Sequence, residues 1–452
     1  MKITFLGGVG TVTGSKYLIE TENRKILVDC GLFQGYKQLR LRNWAPLPID
    51  PAAIDTVVLT HAHLDHSGYL PVLVRNGFAG RVVSTLATRD LCQILLSDSG
   101  HLQEREAEFA SRHGFSKHHP AQPLYTQREA EASMARFDPL DYEIAHDLGD
   151  GLTVRLFPAG HILGSAFVQL TQGGRSILFT GDLGRPNDPT MLDPTVIRQA
   201  DYLVLESTYG NRRHDRTDPE DALAAIINRT AHRGGAVLIP AFAVGRSQSI
   251  LFHLHRLKEA GRIVDIPVFL DSPMAINASE TFCQHFNAHR LTKTQCRVAC
   301  NVARYVRTAE DSMSLDENPM PMILISASGM ATGGRILHHL KHFAPDHRNT
   351  ILFTGFQAGG TRGAAMIAGA ESVKIHGGYV PIRAEVQNLD MLSAHADSDE
   401  IMAWLNHFEA APRTTFISHG EPDASDALRH RIEEEIGWTC VVPDYKDQQS
   451  LA

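Results

Sequence analysis

The sequence lacks the features that mark secreted, membrane-spanning and nucleic-acid-coating proteins. No apolar run is long enough to cross a bilayer, and the N-terminus leads directly into a strand-like segment without a signal peptide. The six cysteines form no Cys-x-x-Cys pair, so we expect buried, reduced thiols in a cytoplasmic protein. Positive charge is not in excess, since the formal net charge is -8. This balance argues against a generally basic surface and leaves room for a local basic groove.

Internal repeats and low-complexity segments are also absent from the 452 residues. Hydrophobic residues make up 43% of the chain and charged residues 21%, which is typical of a globular protein with a sizeable core. The length exceeds that of one ordinary domain, so two domains are expected.

What the sequence does contain is a dense group of metal-ligand side chains in His61-Ala-His-Leu-Asp-His66. The group follows Thr56-Val-Val-Leu-Thr60, an apolar and β-branched run that predicts a buried strand. His61 and His63 are two residues apart, so an extended backbone points both the same way. Imidazoles with a carboxylate form a ligand set that suits zinc. The alternative is a polar turn that carries surface histidines.

The same pattern of an apolar strand followed by an ionisable side chain recurs along the chain. Strands are predicted to end just before or at further candidates: Asp29, His161, Asp182, Glu206 and His419. Such an arrangement gathers the side chains along one edge of a sheet, where α/β sheets bind their ligands. Between about residues 209 and 390 strands alternate with helices, which predicts an inserted α/β domain with a parallel sheet. The boundaries expected are therefore a first domain at 1–208, the insertion at 209–390, and a return to the first domain at 391–452.

Seven of the candidates suffice to hold two zinc ions if one carboxylate bridges them and a hydroxide fills the gap. They are His61, His63, Asp65, His66, His161, Asp182 and His419. Two metals lower the pKa of the water between them, so the resulting hydroxide is a nucleophile at neutral pH.

In order and spacing this set resembles the metallo-β-lactamase fold, and specifically its β-CASP branch of nucleases. The resemblance covers essentially the whole chain. It implies an α/β fold in which two β-sheets are sandwiched between helices, αββα, with an inserted α/β β-CASP domain. It also implies that His61, His63 and His161 bind one zinc. Asp65, His66 and His419 would bind the other, with Asp182 bridging the two ions.

The resemblance assigns roles to three further side chains. His395, in Ser-Ala-His-Ala-Asp, resembles the family histidine that protonates the leaving oxygen or stabilises the scissile phosphate. Glu206 resembles the acid that orients that histidine, and Asp29 is expected to lie behind the metal ligands. Taken without the family, His395 could equally be part of a solvated turn.

Two glycine-rich loops indicate the substrate class. Ser326-Ala-Ser-Gly-Met-Ala-Thr-Gly-Gly-Arg335 leads from a predicted strand into a helix, and small residues there free backbone N–H groups for an anion. Ser328, Gly329 and Thr332 are the residues we expect to contact phosphate. The second loop, Phe356 to Gly363, has Arg362 before its last glycine, where the resemblance leads us to expect an arginine after it. Together the loops resemble those of RNA-cleaving relatives of the polyadenylation cleavage factor and of ribonuclease J.

The sequence thus predicts a zinc-dependent ribonuclease that binds single-stranded RNA in a cleft between its two domains. Endonucleolytic and 5′-exonucleolytic cleavage are not distinguished, and a homodimer is left open. One alternative is a small-molecule hydrolase, such as a thioesterase or lactonase, and another is a non-catalytic RNA-binding scaffold. The irregular tract His113, His118 and His119 is not expected to bind metal.

Overall fold

The computed structural model describes residues 1–114, 120–318 and 320–451, so His118 and His119 of the histidine tract lie outside it. Contacts divide the chain into two units, Met1–Arg213 with His395–Ala452 and His214–Ala394. The divisions therefore follow residues 213 and 394, where the sequence placed them after residues 208 and 390. Within the described ranges no helix has the length and apolarity needed to span a membrane.

The strands are short and mostly buried. In chain order they are β1 (Lys2–Gly7), β2 (Lys16–Glu20), β3 (Lys25–Val28), β4 (Thr56–Val58), β5 (Arg81–Ser84), β6 (Phe137–Pro139), β7 (His146–Gly149), β8 (Leu152–Pro158), β9 (Ala166–Gln172), β10 (Arg175–Phe179), β11 (Tyr202–Glu206), β12 (Val237–Pro240), β13 (Val268–Leu270), β14 (Arg304–Tyr305), β15 (Ile323–Ser326), β16 (Thr350–Phe353), β17 (Ser372–Ile375), β18 (Gly378–Pro381), β19 (Glu385–Asn388), β20 (Thr414–Ser418), β21 (Cys440–Val441) and β22 (Gln448–Ser450).

The helices vary more in length, and several start at a polar side chain that caps their first free N–H groups. In chain order they are α1 (Lys37–Arg42), α2 (Leu64–Ser67), α3 (Leu70–Arg75), α4 (Leu86–His113), α5 (Gln127–Ser133), α6 (Pro219–His232), α7 (Arg246–Glu259), α8 (Pro273–Gln284), α9 (Lys293–Cys300), α10 (Ala309–Asp316), α11 (Ile336–Phe343), α12 (Arg362–Ile367), α13 (Ser398–Leu405) and α14 (Pro422–Glu435).

The first unit is a sandwich of two seven-stranded sheets, with strand orders β22-β1-β2-β3-β4-β5-β6 and β21-β20-β11-β10-β9-β8-β7. Their inner faces meet in one apolar core, to which Phe5 and Val58 belong on one side and Phe179 and Phe416 on the other. Helices α13 and α14 cover the outer face of the second sheet through a separate apolar cluster. This is the layered αββα arrangement that the sequence led us to expect.

Strand direction determines where the polar side chains of this unit gather. Strands β3 and β4 are parallel neighbours in the first sheet, and β10, β11 and β20 are parallel neighbours in the second. The carboxyl ends of parallel neighbours lie at the same edge of a sheet, so residues that follow these strands are brought together.

The second unit contains a six-stranded parallel sheet with the order β14-β13-β15-β12-β16-β19, and a two-stranded sheet of β17 and β18. Helices α6, α7 and α8 pack on one face of the large sheet and α11 and α12 on the other, each through an apolar cluster. Strands buried on both faces explain why β12 and β15 are continuous apolar runs in the sequence.

The expectation of free thiols is wrong for two of the six cysteines. Cys283, near the end of α8, and Cys296, on α9, form a disulfide with a Cα–Cα distance of 5.7 Å. Cys300 lies one turn farther along α9, with its sulfur 3.6 Å from that of Cys283. The pairing depends on how α8 packs against α9, which the spacing of cysteines along the chain does not reveal.

Candidate metal centre

The candidate ligands of the first unit lie at or within three residues of the ends of the strands that position them. These pairs are Asp29 after β3, His61 after β4, His161 after β8, Asp182 after β10, Glu206 at the end of β11, and His419 after β20. The remaining three, His63, Asp65 and His66, follow His61 closely, because the backbone of His63 begins the short helix α2.

One cluster consists of three imidazoles. The Nε2 atom of His61 lies 3.1 Å from Nδ1 of His63, and Nε2 of His161 lies 3.3 Å from the same atom. These nitrogens and an oxygen of Asp182 all lie within 4.8 Å of one another, and His61 and His161 are almost fully buried. The two-residue spacing of His61 and His63 therefore does aim both rings at one point.

A second cluster lies beside the first. Asp65, His66 and His419 each offer a ligand atom within 4.8 Å of the others. His66 and His419 are buried, and their rings are tilted against each other at a centroid distance of 4.7 Å.

Asp182 faces both clusters with different oxygens. Its Oδ2 lies 3.3 Å from Nε2 of His61 and 3.3 Å from Nε2 of His161. Its Oδ1 lies 3.1 Å from Nε2 of His66 and 3.4 Å from Nε2 of His419. This is the placement that a bridging carboxylate requires.

The donor set fits zinc in both chemistry and spacing. A tetrahedral zinc ion with bonds of about 2.0–2.1 Å separates neighbouring ligand atoms by about 3.3 Å. The nitrogen–nitrogen and nitrogen–oxygen distances around His61, His63 and His161 are 3.1–3.3 Å. Several buried nitrogens that converge at this spacing cannot all satisfy one another by hydrogen bonding, whereas a cation at their centre satisfies them together.

Electrostatics keep most of the ligand imidazoles neutral, which is the form that binds a metal. Burial lowers the pKa of His61 and of His161 well below the usual value, and lowers the pKa of His419 to about 4. His66 differs, because the carboxylates of Asp182 and Asp29 outweigh its burial and raise its pKa well above the usual value. The position next to His66 is thus one that stabilises a positive charge.

His395 lies at the rim of the first cluster. Its Nδ1 atom is 3.1 Å from both carboxylate oxygens of Glu206, while its Nε2 points the other way, 3.9 Å from Oδ2 of Asp182. Burial alone would lower the pKa of His395, but Glu206 and Asp182 raise it to about 9. Its side chain keeps 16% of its exposure, so it can still be approached from solvent.

His395 does not belong to a loose turn. Two residues later, Asp397 caps α13 by accepting hydrogen bonds from the amides of Asp399 and Glu400, and Glu400 accepts one from the amide of Asp397. Glu206 is fixed as well, since it accepts a hydrogen bond from the amide of Leu183. The pair is therefore held from both sides.

Asp29 lies behind the ligands, as expected. One of its oxygens contacts Nδ1 of His66 at 2.7 Å, which leaves Nε2 of that ring to face Asp182. Its other oxygen accepts hydrogen bonds from the amide and the hydroxyl of Thr60. Contacts of this kind fix the tautomer and orientation of a ligand imidazole.

Sequence reasoning missed two residues of this supporting layer. The hydroxyl of Ser15 lies 2.9 Å from Nδ1 of His419, and the hydroxyl of Thr60 lies 3.1 Å from Nδ1 of His61. Thr60 could have been found because it directly precedes the histidine group. Ser15 had no signal in the sequence, since it contacts a residue 404 positions away.

The predicted phosphate loop lies in the second unit, between β15 and α11. The hydroxyl of Ser328 accepts hydrogen bonds from the amides of Thr332 and Gly333, so two of the amides expected to meet phosphate are already engaged. The carbonyl of Gly329 accepts a hydrogen bond from Gln357 of the second glycine-rich loop. Arg362 donates to the carbonyls of Ala331 and Thr332, and so places a guanidinium beside this loop.

Comparison with known sequence families agrees with this layout. Residues 9–229 match the family described as "Metallo-beta-lactamase superfamily", residues 247–366 match "Beta-Casp domain", and residues 379–443 match "Zn-dependent metallo-hydrolase RNA specificity domain".

Individual relatives cover nearly the whole chain. It is 38% identical to "Ribonuclease TTHA0252" of Thermus thermophilus over 95% of both proteins. It is 32% identical to "Transcription termination factor FttA" of Methanosarcina mazei, over 96% of this chain and 69% of that protein. It is also 29% identical to an "RNase J-like protein" of Methanocaldococcus jannaschii, over 98% and 97% respectively.

A solved structure shares the fold. A protein of unknown function from Enterococcus faecalis superposes with a TM-score of 0.53 at 13% identity, with 99% of each chain covered. The relatives and the family matches together identify the chain as a metal-dependent ribonuclease of the β-CASP group within the metallo-β-lactamase superfamily.

Proposed function

We propose that the chain hydrolyses phosphodiester bonds of single-stranded RNA with two zinc ions held at the edge of the sandwich. The observation that carries this proposal is the position of Asp182, whose two oxygens face two separate groups of ligand atoms. A site built for one ion would not need a carboxylate turned towards both. The full ligand set proposed is His61, His63, Asp65, His66, His161, Asp182 and His419.

When bound, zinc supplies Lewis acidity, which polarises the scissile phosphate and lowers the pKa of a water molecule between the ions. The protein contributes orientation. Asp29 and Ser15 hold the rings of His66 and His419 by their Nδ1 atoms, so both rings present Nε2 to the centre. Ligands whose own partners are fixed need little rearrangement when substrate arrives.

His395 is proposed as the residue that delivers a proton to the leaving oxygen of the RNA. Glu206 accepts the Nδ1 proton, so the proton on Nε2 is the one directed towards Asp182 and the reacting phosphate. A raised pKa keeps His395 protonated near neutral pH, which is what a general acid requires.

Phosphates farther along the strand are proposed to meet the loop that contains Ser328, Gly329 and Thr332. Arg362 adds positive charge next to that loop, so a backbone anion is favoured there even though Ser328 already engages two amides. Binding of RNA between the two domains, and a homodimer, stay predictions. Sedimentation velocity of the zinc-loaded chain tests the second.

Metal analysis tests the two-zinc part of the proposal. The purified chain should contain two zinc ions, and His419→Ala should retain about one because the cluster of His61, His63 and His161 is left intact. Full activity with a single zinc ion per wild-type chain would refute the two-metal assignment.

Digestion of end-labelled RNA tests the reaction itself. Single-stranded RNA with either a 5′-hydroxyl or a 5′-monophosphate is incubated with the zinc-loaded chain, and products are separated at nucleotide resolution. Internal fragments from both substrates indicate endonucleolytic cleavage, whereas single nucleotides released from the 5′ end indicate exonucleolytic cleavage. A thioester and a lactone are assayed in parallel, and faster turnover of either than of RNA would favour the small-molecule alternative.

A further inference from the structure

The segment Tyr36–Trp44, which contains α1, differs from its surroundings in exposure and in charge. Tyr36, Leu41 and Trp44 are each 57% exposed, and no residue of α1 is buried. From Cys30 to Ile49 the sequence has no acidic residue, although acids make up 51 of the 452 residues of the chain. The same stretch contains three cations, Lys37, Arg40 and Arg42.

The cations of this segment are not used in ion pairs. Within the described ranges, no carboxylate lies at salt-bridge distance from Lys37, Arg40 or Arg42. Arg42 has an anchoring contact, because its guanidinium lies over the rings of Phe33 and Tyr445, at 5.4 and 4.4 Å. Lys37 and Arg40 are exposed and therefore available to an external anion.

Helical spacing orders the exposed side chains. Tyr36, Arg40 and Trp44 are four residues apart, which places them close to one face of α1 and its flanks. At 1.5 Å of rise per residue, Tyr36 and Trp44 are separated by about 12 Å along the helix. That length exceeds three times the rise of about 3.4 Å per stacked nucleotide, so each ring can meet a different base.

The segment is fixed to the metal centre through the backbone. The amide of Leu32 donates to the carbonyl of Leu64, and that of Cys30 donates to the carbonyl of His66, a candidate ligand. The side chain of Asn43 makes two hydrogen bonds to the backbone of Phe33, which secures the far end of α1 to the same stretch. Only four residues separate Leu32 from Tyr36, a distance of at most about 14 Å.

Close packing makes this connection rigid. A Cβ atom added to Gly31 would lie 1.6 Å from the carbonyl oxygen of Asp65, so only glycine permits the approach of this stretch to the ligand helix α2. The amide of Gln34 is bonded to the hydroxyl of Thr13, which adds a third attachment. The exposed rings therefore keep a defined position relative to the ligands.

From these observations we propose that Tyr36, Trp44, Lys37 and Arg40 form a stacking platform for single-stranded RNA beside the metal centre. This inference rests on the RNA substrate proposed above. Aromatic rings accept unpaired bases of any identity, and neighbouring cations neutralise the backbone, so the platform binds strands without sequence preference. It extends the RNA-binding surface to a part of the first unit that holds no metal ligand.

Tryptophan fluorescence tests the platform directly. The chain has three tryptophans, and the other two, Trp404 and Trp438, are only 6% and 8% exposed. Stopped-flow mixing of the zinc-loaded protein with a ten-nucleotide oligoadenylate should quench emission before turnover, and Trp44→Phe should abolish the quench. An unchanged emission of the wild-type protein while the oligonucleotide is cleaved would overturn the proposal and leave the ribonuclease function intact.

Substrate length provides the matched kinetic test. Trp44→Ala should raise KM for the oligoadenylate roughly 5- to 100-fold and leave kcat nearly unchanged, because stacking is lost but the reacting groups stay in place. Hydrolysis of bis(p-nitrophenyl) phosphate, which is too small to reach the platform, should be unaffected. Tyr379→Ala is the control, since Tyr379 is an aromatic residue of the second unit that is 75% exposed.

Salt dependence separates the charge of the platform from its rings. The double variant Lys37→Ala with Arg40→Ala should flatten the slope of log KM against log salt by about 1.4, from about 0.7 for each lost phosphate contact on a single strand. If Trp44→Ala instead changes the sedimentation coefficient and leaves KM for RNA at its wild-type value, the exposed rings cover a protein partner and the RNA platform is wrong. Absence of any RNA cleavage by the wild-type protein is a failure of the proposed function and is recognisable as such.

Discussion

His395 illustrates how a single side chain can be given one orientation by its neighbours. Glu206 accepts from Nδ1, Asp397 begins the helix that follows, and the remaining nitrogen faces Asp182 at 3.9 Å. A histidine on a solvated turn would have none of these constraints. The arrangement thus favours the family-based interpretation over the bland one for this residue.

Replacement of His395 by alanine should lower kcat for RNA by roughly 10²- to 10⁴-fold, the usual contribution of a general acid. Zinc content and KM should change little, because His395 is not among the proposed metal ligands. His407→Ala, an exposed histidine of the same unit, provides the control. Wild-type rates for a His395→Ala protein that retains its zinc would contradict the proton-donor role.

Ser15 makes a smaller but separable contribution. Its hydroxyl contacts Nδ1 of His419, so Ser15→Ala removes the group that orients this ligand while every metal-binding atom remains. Loss of such a contact typically weakens metal affinity about 10- to 100-fold. Titration with a competing chelator should therefore show one zinc ion that is released earlier than in the wild-type chain.

Ser133→Ala is the matched variant for that measurement. Ser133 is also buried, but its hydroxyl bonds only to the carbonyl of Ala130, so any general effect of a lost buried hydroxyl appears here too. Equal chelator curves for Ser15→Ala and Ser133→Ala would mean that Ser15 does not support the metal site.

Among the elements of the second unit, β13, α10 and α11 are joined by one buried carboxylate. Asp271, directly after β13, accepts from Ser312 of α10, from Arg335 and from Nε2 of His339 of α11. Nδ1 of His339 contacts Asp316 at 2.6 Å. With a carboxylate at each ring nitrogen, the pKa of His339 is raised above 6.5 even though burial opposes the charge.

This network predicts a pH dependence of stability. Because the pKa of His339 is raised in the folded protein, its contribution is fully present below about pH 6.5 and is lost as the pH rises through the folded pKa. Asp271 does not vary in this window, since its pKa is lowered from 3.8. The unfolding free energy should therefore be higher at pH 6 than at pH 9 by an amount that His339→Gln removes.

Urea unfolding followed by circular dichroism measures the effect. His339→Gln should cost about 1.5–3 kcal/mol at pH 6, the range for hydrogen bonds to charged groups, and less at pH 9. His342→Gln, on the exposed side of the same helix, should show the pH dependence of the wild type. An equal cost of His339→Gln at both pH values would show that the imidazole is not charged in the folded chain.

The sequence predicted elements well where one residue pattern determined them. The apolar runs that became β4, β11 and β12 and the histidine group after β4 are local features, so they could be found without tertiary knowledge. The roles of Glu206 and His395 came from the resemblance alone, since 189 residues separate the two.

Other elements depend on packing that the sequence does not encode locally. Helix α1 was not predicted because it buries nothing and so leaves no apolar stripe. The disulfide of Cys283 and Cys296 was missed because it joins two helices. The contact between Ser15 and His419 was missed for the same reason, as it forms only once the two sheets face each other.

At the scale of the whole molecule, an acidic chain must bind a polyanion. The net charge of -8 repels RNA at long range, so affinity has to come from local features, such as the acid-free stretch around α1 and the guanidinium of Arg362. Bound metal changes this balance as well, because each zinc ion adds two positive charges where the phosphate must lie.

The same ions should also stabilise the unit that binds them. A ligand that binds only the folded state adds about 2.7 kcal/mol of unfolding free energy at a hundredfold excess over its Kd. Trp44, Trp404 and Trp438 all belong to the first unit, so tryptophan emission reports its thermal unfolding. Chelation of zinc should lower the midpoint of that transition, and added zinc should restore it.

Asp182→Asn separates this linkage from other effects of the chelator. Asp182 is 2% exposed and faces both clusters, so the variant should lose both ions and its midpoint should no longer respond to chelation. His407→Ala should respond as the wild type does, because its imidazole is exposed and remote from the proposed ligands. A wild-type midpoint that is equal with and without chelator would show that the seven side chains fold into place unaided, and that zinc serves the reaction without supporting the fold.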